Sequence, residues 1–448
     1  MSDSLLEKLL KLPEFEITDI HQNDYDIGIY VETKKRPEVC PVCGVYSPKL
    51  TIYKSRQQVI RDLNIHTQRV SLFVNRHYYR CKECGSCFSE VLDCIDGKNR
   101  MTVRLREYIG NKAKTVPFSN IENELQISHT TIRKIFLEEV KSLPKLGDME
   151  TPRILGIDEI CLISDSNYKR KQPWAVIANG EQRTVMDMLK DRSKTSIINA
   201  LQSLKIPSNV EVVTMDMWSG YRNAVYETLP NALVVIDKFH IVKMLTEQLD
   251  SMRRKYSRVG PPELKRNRAI FLMREDRLSS NAQELRQQWF HEYPKLETAC
   301  RLTEEFYKIY DSADRQEAEE RYIDWKKSIP YNDSDFNGYK LITSTIRHCE
   351  KEVFNYFDAP STNAFVEGLN SVIRGIATQG RGYDFEVLRG KVLFTAGRRY
   401  ESPPISYEWM SFSTGINITK LLEDCKTRDY GIPFDKILQA IQSGCYKP

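Results

Sequence analysis

No stretch of this 448-residue chain approaches the roughly 20 consecutive apolar residues that a membrane-spanning helix needs. The first sixteen residues carry acids early and have no small-residue cleavage site, which argues against a secretory signal. The phosphate-binding pattern GxxxxGK followed by Ser or Thr is also absent, so ATP is not expected as a ligand. These absences favour a soluble cytoplasmic protein without a membrane partner, and the length predicts roughly two to four domains.

The cysteines do not suit a disulfide framework, because they are 11 in number and six of them lie between residues 40 and 94. Four form two knuckles, each followed by glycine: Cys40-Pro-Val-Cys43-Gly44 and Cys81-Lys-Glu-Cys84-Gly85. Two intervening residues let both sulfurs of a knuckle face one tetrahedral Zn²⁺, and four thiolates close a structural site. With strand-like runs between the knuckles, the pattern predicts a zinc ribbon with ligands Cys40, Cys43, Cys81 and Cys84. Cys87 and Cys94 are not expected to bind zinc, although Cys87 replaces Cys84 if the register of the second knuckle slips. The alternative interpretation is four unrelated buried cysteines.

The N-terminal part is basic. Residues 31–114 hold 17 Lys and Arg against 8 Asp and Glu, a balance of +9 compared with +5 for the whole chain. A basic region on a near-neutral body is the electrostatic footprint of a nucleic-acid reader, although a solvated basic surface gives the same count.

Two apolar-periodic stretches joined by a short turn lie between Ser119 and Phe136. Ser128 can cap the second helix, since its hydroxyl can accept a hydrogen bond from a free backbone N–H. In a helix-turn-helix the first turns of that helix face DNA, which selects His129, Thr130, Thr131, Arg133 and Lys134. The alternative is an ordinary helical hairpin, and the basic region before it favours DNA contact.

From Arg153 the pattern changes to buried strands. Three strand-like runs are followed by a helix, a strand, a helix and a strand ending at Asp237, which is the order of the α/β ribonuclease-H-like fold. Asp158 and Asp216 lie inside such apolar runs, where an acid is costly unless it is paired or binds a cation. If they belong to the first and fourth strands, they are neighbours, and their repulsion predicts a site for Mg²⁺ or Mn²⁺. Glu159 should point to the opposite face, and Asp187 is expected to be structural or at a sheet edge.

A third carboxylate is expected from a helix beyond the fifth strand. Glu367 lies in the run Thr362–Arg374, one turn after Asn363, and the alternative is a solvated helical glutamate. Four basic residues after Glu367 are expected to contact phosphates: Arg374, Arg381, Arg389 and Lys391.

The sequence thus predicts a multidomain protein. The segments are an N-terminal segment (1–30), a zinc ribbon (31–100), a helix-turn-helix (101–147), a catalytic domain (151–245 and 350–405), an all-helical insertion (246–349) and a C-terminal segment (406–448).

Taken together, these motifs resemble the ISL-three family of bacterial insertion-sequence transposases over nearly the whole chain. The resemblance is carried by CPVCG, CKECG, GIDEI, VTMDMWSGYRNAV, VVIDKFHIVK and STNAFVEGLNSVIRGIATQGRGYDFEVLRGKVLF. It implies an Asp-Asp-Glu enzyme with Asp158, Asp216 and Glu367 as catalytic metal ligands. It also makes Asp237 and His240 supporting or DNA-handling residues, with Asn363 beside them, although His240 could equally be a satisfied partner at a strand end.

The expected activity is DNA transposition in the bacterial cytoplasm, at the nucleoid. The reader segments would bind the terminal inverted repeats, and the acids would support phosphodiester hydrolysis and 3′-hydroxyl strand transfer into target DNA. Because two ends are cut together, a homodimer or larger synaptic complex is expected. The rivals are a nuclease of the same fold without strand transfer, and a DNA-binding regulator that has lost catalysis.

Overall fold

The computed structural model describes residues 12–34, 36–162, 173–258 and 260–397. All of them belong to one compact unit, Met1–Arg399, and the expected C-terminal segment at 406–448 lies outside the described residues. Within the described ranges, no helix is both long and apolar enough to cross a bilayer.

The N-terminal region is a seven-stranded sheet. Its strands are β1 (Phe15–Gln22), β2 (Asp26–Thr33), β3 (Leu50–Ile65), β4 (Gln68–Cys81), β5 (Cys87–Ser89), β6 (Ile95–Asp96) and β7 (Met101–Thr102). The order is β1-β2-β4-β3-β7-β6, and β5 pairs with β4. The strand-like runs between the two knuckles become β3 and β4, a long antiparallel ribbon. Val70, Leu72 and Val74 alternate along β4 and are buried, which is the period-2 pattern of a half-buried strand.

Three helices follow this sheet: α1 (Val103–Ala113), α2 (Phe118–Leu125) and α3 (His129–Val140). Thr102 and Ser128 cap α1 and α3 by accepting hydrogen bonds from Leu105 N and Thr131 N. Helix α2 ends at Gln126, which adopts a left-handed conformation with φ of 54°. Two helices joined by a tight turn therefore lie at the expected place, and Ser128 is the cap that the sequence predicts.

The second sheet has five strands: β8 (Ile154–Ile160), β9 (Trp174–Asn179), β10 (Thr184–Leu189), β11 (Val212–Met215) and β12 (Leu233–Ile236). Its order is β10-β9-β8-β11-β12, with antiparallel pairing from β10 to β8 and parallel pairing from β8 to β12. Helices α4 (Lys194–Gln202) and α5 (Ser219–Thr228) connect its strands. The expectation that the first and fourth strands are neighbours is confirmed, because β8 pairs directly with β11.

The rest of the described chain is helical. The helices are α6 (Lys238–Tyr256), α7 (Pro262–Arg266), α8 (Arg268–Leu272), α9 (Ser280–Glu292), α10 (Pro294–Tyr310), α11 (Arg315–Ser328), α12 (Asn337–Arg347), α13 (Glu350–Asp358), α14 (Ala364–Gly380) and α15 (Phe385–Thr395). Helices α6 to α13 share a core with one face of the second sheet and with α4 and α5. The opposite face shares a core with α1–α3, α14 and α15. The sheet therefore lies between two helical layers, and both layers supply side chains near the ends of β8 and β11.

Candidate metal centre and nucleic-acid contacts

The two strand aspartates lie side by side. Asp158 is in β8, and Asp216 directly follows β11, whose last residue Met215 pairs with Ile157. Both carboxylates are buried, with exposures of 4% and 9%. Asp158 Oδ1 accepts from its neighbour Glu159 N at 2.8 Å, and Asp216 Oδ1 accepts from Trp218 N at 2.9 Å. These bonds fix the carboxylates but leave lone pairs on their oxygens for a cation.

A histidine from α6 completes this group. Asp237 caps the helix by accepting from Phe239 N, which places His240 in the first turn. Single ligand atoms of Asp158, Asp216 and His240 all lie within 4.8 Å of one another. The group has the donor set and spacing of a divalent-metal site.

Glu367 lies in the first turn of α14 but is not part of that 4.8 Å group. Its side chain is partly buried, and burial and the charge of Asp237 raise the pKa of Glu367, while His240, Lys243 and Arg374 oppose the increase. The glutamate therefore faces the same region as His240 from a neighbouring helix. The sequence prediction of a third acid at this position stays a prediction.

The electrostatics of the aspartates suit a cation. Burial raises the pKa of Asp158 to about 7, and the charges of Asp216 and Glu367 add to the increase. Burial also raises the pKa of Asp216. A divalent ion would remove the repulsion between these carboxylates and compensate their lost hydration. The residues present therefore fit a bound Mg²⁺ or Mn²⁺.

Asn363 and Asn370 tie α14 to the aspartates. Asn363 is fully buried, and its Oδ1 accepts from Thr214 Oγ1 in β11 at 2.9 Å. About two helical turns further along, Asn370 Nδ2 donates to Asp158 Oδ2 at 2.9 Å. Sequence reasoning named Asn363 but missed Asn370 as a site residue, although its spacing of three from Glu367 places both on one face of the helix.

Two neighbouring acids have other partners. Glu159 pairs with Arg192, whose guanidinium carbon lies 4.9 Å from the centre of the Trp218 ring. Asp187 is in the edge strand β10 and accepts from Arg389 Nε at 2.6 Å. Both residues were left out of the acid triad on the basis of sequence, and neither is in the 4.8 Å group.

The four knuckle cysteines come together as predicted. Cys40 Sγ lies 3.8 Å from Cys84 Sγ, and Cys43 Sγ lies 3.7 Å from Cys81 Sγ. All four ligand atoms fit within 4.8 Å of one another, a group that does not include Cys87. Gly44 and Gly85 have φ values of 72° and 69°, which explains why a glycine follows each knuckle. Four thiolates at this spacing fit a closed, structural Zn²⁺ site.

The proposed reading helix α3 presents polar side chains outward. His129, Thr130 and Lys134 are exposed, while Thr131 is partly buried. Arg133 donates to Asp384 Oδ2 at 2.6 Å and remains 41% exposed. The ion pair occupies the guanidinium, so DNA contact by Arg133 would require exchange of Asp384 for a phosphate.

The basic residues after Glu367 have different surroundings. Arg374 and Arg381 are exposed, and Arg389 is held by Asp187. The prediction that Lys391 contacts phosphate is wrong, because its side chain is buried and its Nζ donates to Ala113 O at 2.7 Å. A second bond goes to Val116 O, and burial lowers the pKa of Lys391 to about 8. Lys391 thus holds α15 against the end of α1.

Comparisons with known proteins agree with these observations. A family model of the ISL3 class, described as "Transposase", matches residues 155–392, just over half of the chain. Another, described as "zinc-finger of transposase IS204/IS1001/IS1096/IS1165", matches residues 36–84. The chain is 20% identical over 369 residues to the "Transposase for insertion sequence element IS1001" of Bordetella parapertussis, a match that covers 80% of this chain and 88% of that protein.

Proposed function

The chain belongs to the ISL3 family of transposases, and we propose that it moves an insertion sequence by metal-dependent cleavage and joining of DNA. The observation that carries the proposal is the pair Asp158 and Asp216, buried side by side on adjacent strands of a transposase-family domain. The strand order β10-β9-β8-β11-β12 supports a ribonuclease-H-like catalytic fold. In that arrangement the two aspartates lie at the centre of the sheet.

The proposed metal ligands are Asp158, Asp216 and Glu367. Bound Mg²⁺ or Mn²⁺ would supply Lewis-acid stabilisation of the charge that develops on the phosphate oxygens and would activate the attacking oxygen. Asn370 holds the carboxylate of Asp158 in one orientation through its hydrogen bond to Oδ2. The backbone N–H of Trp218 does the same for Asp216.

The proposed reaction has two displacements at phosphorus. In the first, water breaks the phosphodiester bond at an end of the element, leaving a free 3′-hydroxyl and a 5′-phosphate. In the second, that hydroxyl attacks a phosphodiester of target DNA, forming a new bond and releasing a target 3′-hydroxyl. No protein side chain becomes covalently attached to DNA, so the proposal assigns no nucleophilic serine or tyrosine.

DNA binding is assigned to three surfaces. The basic zinc ribbon and the exposed side chains at the start of α3 would bind the terminal inverted repeats. Exposed Arg374 and Arg381, on and just after α14, would contact phosphates near the cleaved bond. Two ends must be brought together, so a homodimer or a larger synaptic complex is expected to be the active form.

A cleavage and strand-transfer assay tests the proposal. The substrate is DNA that carries the element's own ends, with Mg²⁺, and the proteins are wild type, Asp216→Asn and the control Asp324→Asn, whose exposed side chain is on α11. We expect cut and joined products from wild type and from the control, and at least a hundredfold loss in Asp216→Asn. Cutting without joining would favour a nuclease of the same fold, and specific end binding without cutting would favour a regulator.

A further inference from the structure

In the structure, the third side chain beside Asp158 and Asp216 is His240, whereas the motif pattern predicts Glu367. One ring nitrogen of His240 lies within 4.8 Å of ligand oxygens of Asp158 and Asp216, and Glu367 is outside this group. We propose that His240 is a metal ligand shared with Asp158 and Asp216, and that Asp237 orients its ring. This inference rests on the proposed metal centre and assigns one of its ligands.

The position of Asp237 is what an orienting carboxylate requires. Its side chain is 1% exposed, and one oxygen accepts from Phe239 N at the start of α6. The other oxygen, Oδ2, lies 3.8 Å from His240 Nδ1. Metal-binding histidines commonly direct their second nitrogen at a carboxylate, which fixes both the tautomer and the ring plane. A hydrogen on Nδ1, facing Asp237, leaves the lone pair of Nε2 for the ion.

Unpartnered buried atoms converge at this site. Several buried side-chain atoms of the described residues have no hydrogen-bond partner, and three of them lie at this site: Asp237 Oδ2, His240 Nδ1 and Asn370 Oδ1. Buried polar groups without partners cost free energy, which a partner gained on metal binding would offset. A small closure of the 3.8 Å gap on metal binding would pair two of these three atoms with each other.

Asn363, at the start of α14, lies beside the carboxylate of Asp237. The backbone N–H of Asn363 lies near this carboxylate and lowers its pKa, and the side chain of Asn363 accepts a hydrogen bond from Thr214 in β11. Asn363 therefore links β11 to the start of α14 by a hydrogen bond and lies next to Asp237 at the start of α6. Such a connected network limits the freedom of the imidazole before an ion arrives, which favours binding.

The competing role for His240 is that of a cation. A protonated imidazole between two carboxylates would neutralise them and would have to be displaced by the metal. The two roles predict opposite effects of removing the ring. Loss of a ligand weakens metal binding, whereas loss of a competing cation strengthens it.

Mn²⁺ binding to the zinc-loaded full chain distinguishes these roles, with electron paramagnetic resonance as the readout and no DNA present. We expect His240→Gln to weaken Mn²⁺ binding at least about tenfold and Asp237→Asn to weaken it less. The control His291→Gln, an exposed histidine on α9, should bind as wild type does. Because Mg²⁺ is a hard ion that binds through oxygen ligands, loss of an imidazole ligand in His240→Gln should also reduce the preference for Mn²⁺ over Mg²⁺.

A spectroscopic signature makes the test independent of the variants' folding. An imidazole nitrogen bound to Mn²⁺ modulates the electron spin echo of the ion, and we expect this nitrogen signal in wild type. Its absence in wild type, or unchanged or tighter binding in folded His240→Gln, would overturn the inference. Asp216→Asn is measured alongside, and if wild type binds Mn²⁺ no better than this variant, the proposed metal centre itself fails.

Discussion

At the scale of single residues, the clearest feature is the cost of burying Asp158. Its side chain is 4% exposed, and burial together with the neighbouring acids raises its pKa to about 7. Without a metal ion, the Asp158 carboxyl of the folded protein is therefore largely protonated below about pH 7. In the proposed metal centre, cation binding therefore comes at the expense of stability when the ion is absent.

The pH dependence of stability follows from that pKa. Between about pH 4 and pH 7 the folded state binds more protons at Asp158 than the unfolded state does, so metal-free stability falls as pH rises through this window. Asp158→Asn removes the titration. We expect the difference in the free energy of unfolding between the variant and wild type to grow by about 2–3 kcal/mol in favour of the variant from pH 5 to pH 8. Urea unfolding without Mg²⁺ provides the measurement.

Saturating Mg²⁺ provides the control for this measurement. The ion should stabilise wild type and leave Asp158→Asn nearly unchanged, so the advantage of the variant at pH 8 shrinks or reverses. An advantage that is the same at pH 5 and pH 8 would contradict the assigned titration.

Residue roles were the hardest part to obtain from the sequence. Asp158 and Asp216 could be selected because an acid inside an apolar strand is unusual, and the structure places them side by side. Lys391 was misassigned because it follows several arginines. Its spacing with Val387, Leu388 and Val392 on one buried face of α15 was the available signal that it points inward. The link between Asn370 and Asp158 spans 212 residues, which no local pattern reveals.

At the scale of elements, the packing of α14 on β8 depends on Gly156. An added Cβ there would lie 2.6 Å from Phe365 Cζ and closer still to Val366 Cγ2. Both contacts are with α14, the helix that carries Glu367 and Asn370. The glycine therefore sets how closely that helix approaches the strand of Asp158.

A pair of glycine-to-alanine changes tests this packing. Gly156→Ala should lower the free energy of unfolding by about 1–3 kcal/mol through overpacking. Gly368→Ala, in α14 itself, meets nothing within 4 Å and should raise it by up to about 1 kcal/mol through helix propensity. Urea unfolding of both variants provides the measurement, and equal effects of the two changes would refute the close approach.

The zinc ribbon gives a second prediction at this scale. Cys43→Ser should lose the bound zinc and expose residues 36–84 to proteolysis, because a structural zinc ion contributes folding free energy to its domain. Cys87→Ser is the matched control and should keep one zinc ion per chain, since Cys87 is outside the four-sulfur group. Elemental analysis of both purified proteins decides the outcome, and zinc retention by Cys43→Ser would assign the ligands differently.

Elements were more readily predicted than roles. The knuckle spacing predicted the zinc ribbon, and the buried runs predicted the strands of the second sheet in their order along the chain, with β8 beside β11. The sequence did not indicate that β3 and β4 would extend to 16 and 14 residues, since their polar outer halves lack a clear apolar alternation. Nor did it indicate how the helices after β12 would share a core with the sheet, because that depends on contacts between distant segments.

At the scale of the whole molecule, the family assignment made from the combined motifs is confirmed by the matches over residues 155–392 and 36–84. The arrangement of its parts could not be read from those motifs. Helices α1–α3 share a single apolar core with β9, β10, α14 and α15. The proposed DNA-reading helices and the helix of Glu367 thus belong to one packed body.

A shared core fixes the distance from bound DNA to the proposed cleavage site. Inserting two base pairs between the recognised repeat and the terminal phosphate displaces that phosphate by about 7 Å and rotates it around the duplex. We expect cleavage at the original end to fall at least tenfold, with binding to the repeat unchanged. Cleavage mapping on labelled ends and gel-shift binding provide the two measurements. Retention of the original cut at the wild-type rate would indicate that reader and catalytic parts move independently.

The burial of Lys391 has an evolutionary consequence. Its ammonium group lies 4.7 Å from the centre of the Phe118 ring and bonds two carbonyls at the end of α1. The packing of the proposed DNA-binding helices against α15 therefore depends on residues from both. Gly390 beside it leaves room for Val140 and Phe136 of α3. The proposed DNA-binding helices α1–α3 therefore cannot be exchanged between relatives as an independent domain. Relatives that recognise new end sequences should instead differ in the outward side chains of α3, while the inward side chains change together with α15. A chimera that does not keep this pairing should lose folding stability.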